Sequence, residues 1–167
     1  GKLKGRPTEE IYSSLKARGI SILSSMIIGF PYQDREQILQ EFGRLMHLSP
    51  AMTQILIYFA FPGTPFHSQV LAEDRYLPEY QNAPDLRRWD GFAMHIKHPN
   101  FTASELEALQ KELFRREFET LGPSIVRMIQ AWFDGYPNLR GSSVPLLRAR
   151  AERLWTGILE ARPTLIP

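Results

Sequence analysis

An α/β fold built on parallel strands is predicted by three features of this 167-residue sequence. Two β-branched and aromatic runs, GISILSSMIIGFP and ILIYFAFPGTP, flank one amphipathic helical pattern. Strands joined through a helix form a β-α-β unit, because a parallel pair needs a crossover connection. Each run closes on a Gly/Pro turn, and after the second run only helical periodicity remains. Ligands of parallel α/β architectures bind at the carboxyl ends of strands, so the two turns are where function is sought.

The elements follow in order. Thr8 is placed to cap a first helix whose Glu9 and Glu10 suit the positive end of the macrodipole, and Gly19 is placed at its C′ position. A strand over residues 20–28 follows, apolar on both faces in its second half (Met26, Ile27, Ile28), as a buried parallel strand should be. Asp34 and Gln37 form a variant capping box for a helix that puts Ile38, Leu39, Phe42, Leu45 and Met46 on one face. Ser49-Pro50 stops it, and a second strand spans residues 52–61. Thr64 and Pro65 start a short helix reaching about residue 73. Residues 76–100 show no periodicity; this long loop holds Pro78, Pro84, Trp89, Asp90, His95 and His98. Thr102 and Glu105 then form a capping box, Phe101 and Leu106 a hydrophobic staple, and Leu106, Leu109, Leu113 and Leu121 mark a buried face. A further helix starts at Pro123, buries Ile125, Ile129 and Trp132 or Phe133, and ends at Gly135. The last helix, over residues 145–160, carries Leu147, Leu154, Trp155 and Ile158. The expected division is 1–75 for the strands and their helices, 76–100 for a linking loop and 101–167 for a helical region.

Composition narrows the function classes. The 43% hydrophobic and 23% charged content is that of an ordinary globular protein, and the net charge is only +2. The late arginines (Arg127, Arg140, Arg148, Arg150, Arg153 and Arg162) read as a solvated helical face in preference to a nucleic-acid surface. The sequence has no cysteine, which excludes a disulfide, a Cys-ligated iron–sulfur cluster or thiol chemistry within this chain. No apolar run approaches the roughly 20 residues a membrane helix needs, and GKLKGRPTEE has no apolar signal region. The expected location is cytoplasmic. Two strands do not make a stable sheet alone, and the chain starts just before its first helix. Both features imply a fragment of a longer protein.

The stretch SMIIGFPYQDREQI, followed some way on by YFAFPGTPFHSQV, resembles the closing strands of the radical SAM superfamily, most closely the branch that also carries a cobalamin-binding domain. The resemblance spans residues 8–66 well and 89–121 loosely. It implies that the chain is the last two strands of a partial (β/α) barrel of TIM type, followed by an all-helical segment. It further implies S-adenosylmethionine across the strand ends, a [4Fe–4S] cluster whose three cysteines lie in the missing N-terminal part of the same protein, and cobalamin as an option on a domain outside this chain. Of the family's fifth-strand pattern Gly-x-Ile-x-Gly-x-x-Glu, Ile27 and Gly29 match, Ser25 replaces the first glycine and Tyr32 the acid. The cofactor-contacting set implied is Ser25, Ile27, Gly29, Tyr58, Phe59 and Phe61, with backbone groups of residues 58–61 reading the adenine edge. Trp89 and His95 are the candidates for contact with a small-molecule substrate, and no catalytic or metal-ligating residue is assigned.

Plainer readings stand beside these. Gly29 and Pro31 also serve simply to end a strand, and Pro62-Gly63-Thr64-Pro65 to turn the chain. His67 reads as a solvated helix residue, and His95 with His98 lacks the third ligand a metal needs. Two competing functions remain open: a helical interaction or RNA-docking module, and a small cofactor-free α/β protein that dimerises through its sheet edge.

Overall fold

The computed structural model describes residues 5–81 and 86–165; Pro84 lies outside them, as do the side chains of Ile158 and Arg162. Among the described residues six α-helices and two strands follow one another as α1 (Thr8–Lys16), β1 (Leu23–Ile28), α2 (Arg35–His47), β2 (Met52–Ile57), α3 (Pro65–Ala72), α4 (Ala103–Leu121), α5 (Ser124–Arg140) and α6 (Pro145–Leu165). Among the described residues no helix is long and apolar enough to cross a membrane.

β1 and β2 pair with each other in a parallel sheet. Ile22 C=O accepts from Met52 N–H at 3.1 Å, and Ile28 C=O accepts from Tyr58 N–H at 2.7 Å. The register is therefore the same at both ends, which only a parallel pair allows. β2 begins at Met52 as expected but stops at Ile57, short of residue 61, and β1 begins at Leu23, after residue 20, and ends at Ile28 as expected. β1 alternates between exposed and buried positions along its whole length. Ile27 is 43% exposed, so the expectation of an apolar strand covered on both faces fails. The helices cover one face of the sheet and leave the other open.

Two compact units form, one from Leu23–Ser49 and Thr53–Gly122, the other from Gly1–Ile22, Pro50–Met52 and Pro123–Pro167. They cut across the expected division at residues 75 and 100. In the first, Met26, Ile28, Ile55 and Ile57 of the strands meet Ile38, Phe42 and Met46 of α2 and Leu106, Leu109 and Leu113 of α4. Burying each such side chain stabilises the fold by about 1.5–3 kcal/mol. Both expected capping boxes form: Asp34 with Gln37 on α2, and Thr102 with Glu105 on α4. Thr64 caps α3 as expected. The long loop is not irregular throughout. It makes an antiparallel bridge between Tyr76 and Ile96, and packs Tyr76, Tyr80, Trp89 and Ile96 with Ala60 and Val70 in a second core.

In the other unit α5 packs against both α1 and α6. Pro7, not Thr8, occupies the N-cap of α1, and no side chain caps it. Gly19 ends the helix as expected: its N–H reaches Lys16 C=O at 2.8 Å while Ile20 N–H reaches Leu15 C=O at 3.1 Å, the paired bonds of a Schellman stop. Gly135 does not end α5, which continues through Pro137 to Arg140. Its role is contact, since a Cβ there would overlap the backbone of Gly19. Ile125, expected in the core, is exposed, as are Leu147 and Leu154. Trp155 of α6 stacks on Tyr136 at 4.7 Å and on Trp132 at 6.0 Å.

Candidate functional site

The carboxyl end of β1 leads into Gly29-Phe30-Pro31. Gly29 has φ +84°, which favours glycine, and a Cβ there would lie 2.7 Å from a Leu106 methyl group. Helix packing therefore already demands a glycine at this position. The turn is held by Gln33 and His98, to which the sequence assigned no such part. Gln33 is fully buried; its Oε1 accepts from Phe30 N–H at 3.0 Å and its Nε2 donates to Glu41 at 2.8 Å. His98 Nε2–H donates to Phe30 C=O at 2.9 Å, while its Nδ1 accepts from Asn100 N–H at 3.0 Å. These partners assign the neutral Nε2–H tautomer and engage both ring nitrogens.

The end of β2 is fixed by a second relay. Tyr76 OH donates to Ala60 C=O at 3.1 Å, so the 2.6 Å contact with His67 is a donation from His67 Nδ1–H to the phenol oxygen. His67 is thus a half-buried structural partner and not a solvated helix residue. Burial raises the Tyr76 phenol above its usual range and keeps it neutral. Four rings run across both strand ends. Tyr32 stacks with Phe30 at 5.6 Å, Phe30 meets Tyr58 at 4.5 Å, and Tyr58 meets Phe66 at 5.1 Å.

The edges of the sheet differ. The outer edge of β2 is closed: Ile57 N–H donates to Gly91 C=O at 2.8 Å, and the buried Gln110 amide donates to Ile55 C=O at 2.7 Å and Gly91 C=O at 2.9 Å. The outer edge of β1 meets no backbone partner among the described residues. On the open face, Ser25 Oγ donates to Gln54 Oε1 at 3.0 Å beside Leu23 and Ile27.

Trp89 and His95 come together as a buried pair with ring centroids 4.3 Å apart. Phe59 packs edge-on against both, at 5.9 Å from Trp89 and 5.8 Å from His95. His95 Nε2–H donates to Arg88 C=O at 3.0 Å, so its Nδ1 carries a lone pair. That nitrogen and Trp89 Nε1 have no hydrogen-bond partner among the described residues. Desolvation lowers the His95 pKa; the bond to Arg88 opposes this only in part.

The expected cofactor residues are therefore divided. Ser25 and Ile27 lie on the open sheet face, Gly29 faces Leu106, and Tyr58 sits in the row of rings. Phe59 backs the Trp89–His95 pair, and Phe61 is exposed 6.2 Å from Phe59. The expected backbone reader at residues 58–61 is narrower than foreseen. Tyr58 N–H is used by Ile28, Ala60 C=O by Tyr76 and Phe61 C=O by Thr64. The N–H and C=O of Phe59 make no hydrogen bond among the described residues.

The donor set does not fit an iron–sulfur cluster, because the chain has no thiol. Nor do His, Asp and Glu cluster at metal-binding spacing among the described residues. On the open face an apolar surface lies beside the polar Ser25–Gln54 pair. No protein-family model matches the chain, and no curated protein matches it.

Proposed function

We propose that this chain is the C-terminal part of a radical S-adenosylmethionine enzyme and supplies one wall of its cofactor and substrate site. The observation that carries the reading is the asymmetry of the β1–β2 pair. Its strands are parallel, its β2 edge is sealed by Gly91 and Gln110, and its β1 edge and one face are open. A terminal strand pair of an incomplete barrel needs this arrangement, since further strands add on one side only. The Gly-Phe-Pro and Pro-Gly-Thr-Pro turns stand at the ends of these strands, where such enzymes bind their cofactor.

In this reading the bound cofactor supplies radical chemistry initiated at a [4Fe–4S] cluster whose ligands lie outside the chain. The residues here bind and orient. Ile27 offers an apolar surface to adenine, Ser25 and Gln54 a hydroxyl and an amide, and the free Phe59 backbone a donor and an acceptor. The buried Trp89–His95 pair holds Phe59 in place beneath them. Cobalamin, if used, binds elsewhere. The test is the coding sequence preceding Gly1: a Cys-x-x-x-Cys-x-x-Cys within roughly 150 residues, the span of the four missing barrel strands, supports the proposal, and its absence overturns it. A second reading, dimerisation through the open β1 edge, has that edge in its favour. It predicts a dimer of the isolated chain in sedimentation equilibrium, and a stable monomer contradicts it.

A further inference from the structure

We propose that the outer face of α6 is a docking groove for an acidic amphipathic helix of a partner protein. Leu146, Leu147, Arg150, Arg153 and Leu154 line a groove of about 380 Å³ on this helix. Leu146 is 70% exposed. These leucines are surplus to the packing of their own unit, because α6 already uses another face. Ala151 is buried, and Trp155 packs on Trp132, Phe133 and Tyr136 of α5. At about 100° per residue, positions 146, 150 and 154 fall on one stripe and position 155 well away from it.

The arginines decide the occupant. The late basic residues do not form one face. Arg127 donates to Ala51 C=O at 3.2 Å, Arg140 pairs with Glu152 at 3.2 Å, and Arg148 binds Ser142 C=O. Arg150 and Arg153 alone line the groove, and neither makes a hydrogen bond or ion pair among the described residues. A groove of leucines with two uncompensated guanidinium groups is complemented by apolar side chains flanked by carboxylates. From Leu146 to Leu154 the groove runs about 12 Å, two helical turns, which suits anchors at i, i+3, i+4 and i+7 of a partner helix. A phosphate track would not be lined by leucine. A bilayer would require the cations at the margins of the apolar stripe, whereas Arg150 lies between Leu146 and Leu154 within it.

The probes are three helix-stapled peptides with identical leucine spacing, flanked by Glu, by Lys or by Gln. Binding to the whole chain is followed by fluorescence anisotropy, and hydrogen exchange locates the contact. The Glu peptide is expected to bind saturably and to protect residues 146–154. R150E/R153E is expected to weaken it by at least about tenfold and to favour the Lys peptide instead, with circular dichroism unchanged. Charge-indifferent binding, or Glu-peptide binding that survives R150E/R153E, would overturn the proposal. So would protection of residues 146–154 by anionic vesicles, by RNA or by self-association while the Glu peptide fails to bind. The cofactor reading is untouched by either result, because no strand residue takes part.

Discussion

Single side chains at the strand ends do structural work that their sequence context conceals. Gly29 is the clearest case, since its positive φ and its contact with Leu106 each require glycine. Gly29→Ala is expected to cost about 2–4 kcal/mol in urea unfolding, combining left-handed strain with overpacking. Combined with Leu106→Ala, the total should fall short of the sum of the two single losses, because the clash disappears. His95 supports a prediction with a definite sign. Its folded pKa lies below its unfolded value, so protons bind the unfolded state preferentially between the two. Stability should therefore be flat above a pH of about 6.5, fall as the pH drops below it, and level off beneath the folded pKa. His95→Gln should remove that slope in thermal melts collected across this range. An unchanged slope would mean that another group carries it.

At the scale of elements, most parts written locally in sequence were legible, the Thr8 cap excepted, and those set by distant contacts were not. The α2 and α4 capping boxes, the Thr64 cap and the Gly19 stop depend on residues within one turn, and all four formed. Gly135 misled because its reason lies across space, in the backbone of Gly19. Gly135→Ala should thus destabilise the chain, reversing the gain of about 1 kcal/mol that helix propensity alone would give. Ile27 misled in the same way: hydrophobicity marks what can be buried, and this side chain stays 43% exposed between the buried Met26 and Ile28. The polar residues that hold the site together, Gln33, Gln110 and His98, carried no periodic signal. Proximity to the Gly-Phe-Pro turn was the only pointer to Gln33. Gln110→Leu should leave the buried Ile55 C=O without a donor, while Gly91 C=O keeps the Ile57 N–H, and cost about 1–3 kcal/mol in chemical unfolding.

For the molecule as a whole, the β-α-β unit and its parallel order follow from the spacing of the apolar runs, whereas the identity of the open edge is set by distant groups, Gly91 and Gln110, that seal β2. The paired core of β2 and the bare edge of β1 predict a gradient in hydrogen exchange. The amide of Ile57, bonded to Gly91, should be protected far longer than those of Leu23, Ser25 and Ile27 on the β1 edge. Equal protection would mean that β1 is covered in solution. The most direct test of the cofactor assignment is made on the longer protein from which this chain is proposed to come. Purified and reconstituted with iron and sulfide without oxygen, it should cleave S-adenosylmethionine in a reductant-dependent reaction. Ile27→Asp should weaken cofactor affinity while leaving the cluster spectrum intact. A protein that assembles no cluster and cleaves no cofactor would contradict the assignment of β1 and β2 to a radical S-adenosylmethionine barrel.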